Sequence, residues 1–334
     1  MRAGIGWRPE TAWLAAQRPF TEVVAEAIDP RRPPRELLQA IDRGLVVAVH
    51  GTTLSLGGAE PIDRARVAHL AAVAKVLRAP VASEHVAFAR AGGATAAHFL
   101  PVPRTREQLA ILVENVRAVC GELPVPLALE NIAAPLAWPG SELAEADFLA
   151  ELLERTGAQL LLDVANLHAN RINGVSTLEL ARLPLHRVAY LHVAGGARVD
   201  AMWRDTHAHP IGAPVLALLR EVLARTGPRP VLLERDHRFT DRAGLEAELA
   251  ALDALLATAP AAAPHQPHAR IPLPLVPDRV ALAAAQHALI AGLAGDAALA
   301  GFPAAQVAET RAILAGKRER RVSAARSTPA GSAV

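Results

Sequence analysis

Short apolar runs that nearly all end on a metal-competent side chain constrain this sequence more than any other feature. They are Phe20–Ala27, Leu45–His50, Val81–Phe88, Pro126–Asn131, Gln159–Val164, Val188–Val193, a weakly marked one near Asp205, and Pro230–Arg235. Between them lie amphipathic stretches rich in Ala, Leu, Arg and Glu, such as Asp63–Leu77, Thr105–Cys120, Glu142–Thr156 and Val215–Thr226. Asp63, Thr105 and Ser141 stand before helix-forming runs, where a side-chain oxygen can cap free backbone N–H groups. Strands alternating with helices call for a parallel sheet covered on both faces. Such strands read as unbroken apolar runs, as Leu160-Leu161-Leu162 does. The pattern predicts an α/β chain folded as a (β/α)8 TIM barrel over residues 1–257.

The strand ends carry the chemistry. His50 closes LVVAVH, His85 lies in VASEHVAF, and Glu130 with Asn131 closes PLALEN. Asp163 closes QLLLD with Asn166 just beyond, His192 closes VAYLH, Asp205 and His207 lie in RDTH, and Glu234 closes PVLLE. A single polar residue after a strand is ordinarily a turn former. Repetition at seven strand ends is not, because in a closed barrel those ends converge on one mouth. Imidazole and carboxylate donors together suit zinc, manganese or iron, and a chain whose one cysteine is Cys120 has no thiolate site. These donors are too many for one ion, whereas two or three ions bridged by carboxylates would use them. Four carboxylates gathered at one mouth also need cations to remain ionised together.

Charge and composition exclude other classes. The net charge is +2, but Lys317, Arg318, Arg320, Arg321 and Arg326 against Glu319 give the C-terminal tail +4, leaving about −2 elsewhere. A nucleic-acid binder carries its basic residues on a face or stripe, so nucleic acid is not expected as a partner. No apolar run reaches the ~20 residues of a membrane span, and no signal peptide opens the chain, so no membrane association and a cytoplasmic location are expected. Residues 258–277 hold Pro260, Pro264, Pro267, Pro272, Pro274 and Pro277 and read as a stiff linker. A helical appendage follows over 278–322, with patterns at Asp278–Leu293 and Pro303–Arg320, and a disordered tail over 323–334.

The order and spacing of longer motifs add a resemblance. GIGWR at 4–8, FTEVVAEAI at 20–28, HGTTLSLGG at 50–58, SEHVAF at 83–88 and LPVPRT at 100–105 open the series. LENIAA at 129–134, LLLDVANLHANRING at 161–174, YLHVAGG at 190–196, DTHAHPI at 205–211 and LLERD at 232–236 complete it. The chain resembles the multinuclear non-heme iron-dependent oxidative enzymes, which modify cysteine in ribosomally synthesised and post-translationally modified peptides (RiPPs). The resemblance implies a mouth holding two or three irons of mixed Fe(II)/Fe(III) valence, with O2 as co-substrate. It implies ligands at His50, His85, Glu130, Asp163, Asn166, His192, Asp205, His207 and Glu234. Asp236 would act catalytically, relaying a proton or orienting a ligand. The substrate would be a cysteine in a precursor peptide, with ferrous iron activating oxygen and ferric iron holding the sulfur.

Departures from the family pattern fall in the pocket lining. Asp-Val-Asn-Asn-Val-Tyr becomes Asp163-Val164-Ala165-Asn166-Leu167-His168, Ala-Gly-His becomes Ala194-Gly195-Gly196, Ser-Asp-His becomes Ser83-Glu84-His85, and an Asp becomes His98. His98, His168 and His209 either compensate or are ordinary satisfied polar residues; Trp7, Trp138 and Trp203 wall a peptide groove or simply pack. Arg8 and Arg235 are candidates to orient carboxylates. No role is assigned to His69, His186, His237, His265, His268 or His287. The C-terminal helices weakly resemble partner-type domains, which suggests docking of the precursor or of a leader-binding protein; the plainer expectation folds them over the outer ring of the barrel. Rival readings are a divalent-metal sugar isomerase or phosphoesterase barrel and a non-catalytic metal-organised binding module. An isomerase of that kind wants a lysine at a strand end, and Lys75 and Lys317 lie elsewhere.

Overall fold

The computed structural model describes residues 1–176, 179–200, 202–262, 270–296 and 298–327. Eight strands form one parallel sheet: β1 (Gly4–Ile5), β2 (Phe20–Val24), β3 (Val46–His50), β4 (Ala82–His85), β5 (Leu127–Glu130), β6 (Gln159–Asp163), β7 (Val188–Val193) and β8 (Val231–Leu233). Each pairs with its successor from β2 onward, and β8 pairs with β1. The Trp7 amide donates to the Glu22 carbonyl at 2.7 Å, drawing the chain beyond β1 onto β2 and nearly closing the ring. The expected barrel is present.

Helices Arg35–Asp42, Arg64–Val76, Arg106–Cys120, Glu145–Thr156, Val164–Ile172, Ala213–Thr226 and Arg242–Ala257 cover it. Asp63 and Thr105 cap as expected, accepting from Ala65 and from Gln108 amides. Ser141 does not; that helix starts later, after Ala144, and its C-terminus turns on left-handed Gly157. Cys120 is a partly buried thiol at a helix end, and burial raises its pKa.

The barrel interior explains the site. Phe20, Ala48, Val81, Ala128, Leu161, Tyr190 and Leu232 form a buried cluster of their own, apart from the large core. Side chains two apart share one face of a strand. Two residues further along, therefore, the same strands point Glu22, His50, Ser83, Glu130, Asp163, His192 and Glu234 inward, one layer nearer the mouth. The cluster is a floor, and the polar ring rests on it.

Three expectations are corrected. The weakly marked run near Asp205 is no barrel strand: Met202–His209 pairs antiparallel with Gly195–Val199 in a separate hairpin beyond β7. The missing barrel strand is the two-residue β1, where a Cβ on Gly4 would meet the Phe20 carbonyl oxygen at 2.2 Å. Val81–Phe88 divides between β4 and a hairpin of Ala87–Ala91 with Ala94–Pro101.

Beyond the barrel, Asp278 caps helix Arg279–Ala294, and a last helix spans Ala304–Ser327, past the expected Arg320 end and into the stretch read as disordered. Residues 263–269 of the linker, with His265 and His268, and 328–334 of the tail lie outside the described residues. The appendage does not lie on the outer ring alone. Gln286 accepts from the Ala59 amide at 3.0 Å and donates to the Gly57 carbonyl at 2.7 Å, both in the loop that follows β3 on the mouth side. Among the described residues no helix is long and apolar enough to cross a membrane.

Candidate metal centre

Three groups of donors meet at the mouth: His50, His85 and Glu130; Glu130, Asp163, His192 and Glu234; and His207, Glu234 and Asp236. Within each, the donor atoms lie within 4.8 Å of one another. Two glutamates join the groups. Glu130 turns Oε2 toward His50 Nε2 (3.5 Å) and His85 Nε2 (3.4 Å), and Oε1 toward His192 Nδ1 (3.4 Å). Glu234 turns Oε2 toward His192 Nδ1 (3.3 Å) and Oε1 toward His207 Nδ1 (3.3 Å). One oxygen on each side is the disposition of a bridging carboxylate.

The rings are prepared for ligation by their outer partners. His50 Nδ1 lies 2.8 Å from Ser83 Oγ, which lies 2.7 Å from the Tyr190 hydroxyl, and Tyr190 donates to Glu22 Oε2 at 2.6 Å. His192 Nε2 lies 3.0 Å from the same Glu22 oxygen. Glu22 accepts from Tyr190, Tyr190 from Ser83, and Ser83 from His50, so the direction of every proton follows from the carboxylate. His50 Nε2 and His192 Nδ1 are the nitrogens left facing the glutamates, where a metal would replace any remaining proton. His85 Nδ1 is 3.1 Å from Glu84 Oε1, which also accepts the His85 amide at 2.8 Å, while Glu84 Oε2 accepts from Leu54 N at 2.8 Å. Phe99 stacks on His85 with ring centroids 3.9 Å apart. Glu22, Ser83, Glu84 and Tyr190 were not singled out as functional in the sequence; the polar Glu22 inside an otherwise apolar run was the available signal.

Unpaired buried atoms indicate what is wanted. Glu130 Oε2, Asp163 Oδ2, His192 Nδ1 and Asp205 Oδ1 are buried without a hydrogen-bond partner. Orphaned acceptors of this kind cost free energy unless a cation meets them. Asp163 Oδ1 caps the next helix by accepting from Asn166 N at 2.8 Å, and the Asn166 amide donates to the Asn131 carbonyl at 2.9 Å. Asp205 lies 2.5 Å from His207 Nε2 on the hairpin, and His207 Nδ1 lies 3.1 Å from Asp236 Oδ2. His207 adopts a left-handed backbone, φ 51°, a conformation that costs energy for a non-glycine residue and concentrates at functional sites. The donor set and its orphaned atoms fit a multinuclear metal centre.

Electrostatics agree. Burial opposes charge on three of the imidazoles, yet Glu130 and Glu84 hold His85 above its ordinary pKa; Glu22 and Glu130 hold His192 well above, and Asp205 and Glu234 do the same for His207. Burial, then Asp205 and Glu130, push Asp163 well above the carboxylate range. Glu130 and Glu234 are held low against burial by the imidazoles they face, Glu234 strongly. Groups with raised pKa contribute stability below their unfolded pKa and lose it as pH rises through the folded one. The thermal midpoint of the metal-free protein is thus expected to fall as pH rises from neutral through the raised histidine range. Metal, replacing those protons, should flatten the curve; calorimetry with and without metal checks it. Glu22→Gln should weaken metal binding ~10–100-fold by releasing the Tyr190–His192 arrangement, read by chelator competition.

Other expected residues sort by contact. Arg8 Nη2 donates to Asp236 Oδ1 at 3.0 Å, whereas Arg235 pairs with Glu248 instead of a site carboxylate. Trp138 donates to the Pro101 carbonyl and packs between Phe88 and Phe302, Trp203 meets His168 edge-on, and Trp7 is buried in the core. His209 Nδ1 lies 2.7 Å from Thr206 Oγ1. Lys317 Nζ lies 2.7 Å from His98 Nδ1, so a lysine does reach the mouth side, though from the last helix and not from a strand end. Exposure grades across the centre: His192 has a fully buried side chain, while that of Asp236 is 40% exposed.

The chain is 49% identical over 261 residues to a UPF0276 protein of Streptomyces avermitilis, covering 75% of this chain and 54% of that one, so it spans about half of that relative's length. It is 34% identical to a UPF0276 protein of Chromobacterium violaceum, covering 76% of this chain and 91% of the relative. Among solved structures, D-psicose 3-epimerase from Clostridium cellulolyticum (TM-score 0.50, 15% identity, 77% and 99% of the chains) shares the fold. Endonuclease IV from Thermus thermophilus does so equally (TM-score 0.50, 20% identity, 76% and 100%). Residues 2–257, which include every donor described above, match the RiPP precursor modification enzymes MbnB/TglH/ChrH, and the chain belongs to that family.

Proposed function

We infer that this enzyme holds two or three iron ions, ferrous and ferric, and uses O2 to oxidise a cysteine of a ribosomally made precursor peptide. One observation carries the reading: Glu130 and Glu234 each present one oxygen to either side, linking three donor groups in a row. Family membership supplies the peptide. Bound iron would supply oxygen activation and a seat for the cysteine sulfur.

The chain's own residues do the rest. His50, His85 and Glu130 would hold the inner end position, opposite the exposed Asp236, and Asp163, His192 and the two glutamates the middle one, with Asn166 beside Asp163. His207, Glu234 and Asp236 hold the outer one, and Asp205 fixes the His207 ring. The outer group is the one a peptide reaches first, because its side chains are the most exposed. Against burial, the His207 hydrogen bond and Arg8 keep Asp236 below the usual carboxylate range. That makes it a weak base, so its role is assigned as ligand more than as proton relay. Holding sulfur, oxygen and the cysteine carbon within reach of one another is the catalytic contribution of such a frame.

The test is elemental analysis with Mössbauer spectroscopy of anaerobically purified protein, then oxygen consumption with cysteine-bearing precursor peptides encoded nearby. Two or three irons per chain and uptake abolished by Cys→Ser in the peptide are the expected results. One zinc per chain and no iron would overturn the reading, and bound iron without oxygen uptake would favour a binding module.

A further inference from the structure

The strand that carries Asp205 and His207 is not held by the barrel ladder. Among the described residues the ladder partner of Met202–His209 is Gly195–Val199, with a register shift between Gly195 and Ala197, and beyond the ladder the His207 carbonyl accepts from the Asp236 amide, past β8, at 2.9 Å. An isolated two-stranded hairpin is marginal in water, so what fixes it decides where these two side chains sit. At Trp203 the tie is Asn173, which exchanges two hydrogen bonds of 2.8 Å with its backbone. At Arg204, next to Asp205, the tie comes from the far end of the chain. Glu309 Oε1 accepts from Arg204 Nε at 2.7 Å and from Arg204 Nη2, and Glu309 is 8% exposed.

The helix that bears Glu309 reaches several mouth loops. Val307, Thr310 and Leu314 form its buried stripe. Gln306 accepts from the Ala137 amide at 2.9 Å and Thr310 donates to the Pro135 carbonyl at 3.4 Å, both beyond β5. Lys317 meets His98 in the hairpin beyond β4, next to the Phe99 that stacks on His85. Glu309 and Lys317 are about 12 Å apart along the helix axis, which suits a brace laid across two hairpins. The family match ends at residue 257, so the helix lies outside it while the loops it meets lie within.

We propose that helix Ala304–Ser327 is a positioning element of the metal centre, and that Glu309 acts through Arg204 to set Asp205 and His207. The proposal deepens the metal reading and rests on it for its second readout. Glu309 is largely buried while the Arg204 side chain is 24% exposed, with Asp200 also 3.9 Å from its guanidinium, so loss of Glu309 removes the hairpin's tie to the last helix and should loosen it locally.

The test uses the full chain with Glu309→Gln, Arg204→Glu and the charge-swapped pair Arg204→Glu/Glu309→Arg. In metal-free protein, hydrogen exchange over 195–209 should speed at least ~10-fold in either single variant and slow again in the swap, with barrel-strand exchange unchanged. In metal-loaded protein, affinity for the last ion to bind should fall ~10-fold in the single variants while the tighter ions stay. Unchanged exchange overturns the proposal. So does faster exchange with undiminished metal affinity, or loosening spread over the whole barrel. If wild-type protein takes up no metal, the metal reading fails, and the exchange measurement still decides whether Glu309 braces the hairpin.

Discussion

Glu130→Ala is expected to remove metal from two neighbouring positions at once. Its two oxygens serve different groups, Oε2 facing His50 and His85 and Oε1 facing His192. No other side chain in these donor groups joins the inner and middle positions. Loss of an outer hydrogen-bond partner already costs ~10–100-fold in metal affinity, so loss of a bridging ligand should exceed ~100-fold at both. His207→Ala should cost only the outer position, since its ring belongs to one group. Iron per chain after desalting, compared across the two variants, reads the difference. Equal iron contents would show that Glu130 does not bridge, and the linked arrangement would fall with it.

Asp163→Asn should push stability and metal binding in opposite directions. The carboxylate is fully buried, its Oδ2 has no partner, and Asp205 and Glu130 crowd it. Without metal, folding must carry either an unwelcome charge or a proton taken up at the expense of free energy. An asparagine keeps the oxygen that caps the Val164–Ile172 helix and ends the repulsion. The metal-free variant should be more stable by on the order of 1–3 kcal/mol, and should bind metal more weakly. Thermal midpoints at neutral pH with chelator and with iron check both signs. A metal-free variant less stable than wild type would mean that Asp163 is a structural residue whose charge the fold already satisfies.

Much of this was legible in the sequence because a barrel strand must alternate. Leu161 to Asp163, Ala128 to Glu130 and Leu232 to Glu234 are each a step from the floor to the ring above it, and with those ending on His50 and His192 five such steps point to a single mouth. What escaped had no period to reveal it. β1 is two residues long and is recognisable only through its neighbours. The two hairpins were hidden because their strands pair locally and carry no barrel periodicity, which is why Asp205 and His207 were placed on a strand of the ring. Lys317 and Glu309 sit in a helical pattern whose plainer expectation is the outer ring of the barrel, since no local rule says which distant loop a helix will meet.

Tyr190 stands in both layers. Its ring packs edge-on against Phe20 within the barrel floor, and its hydroxyl passes the order set by Glu22 on to Ser83 and His50. Phenylalanine there would fill nearly the same volume and leave His50 and His192 without a common reference. Tight packing and the link from His50 to Glu22 thus hang on one side chain, while His192 keeps its own bond to Glu22. Softening the centre of the barrel, by heat or by a cavity, should let iron escape before the outer helices have come undone.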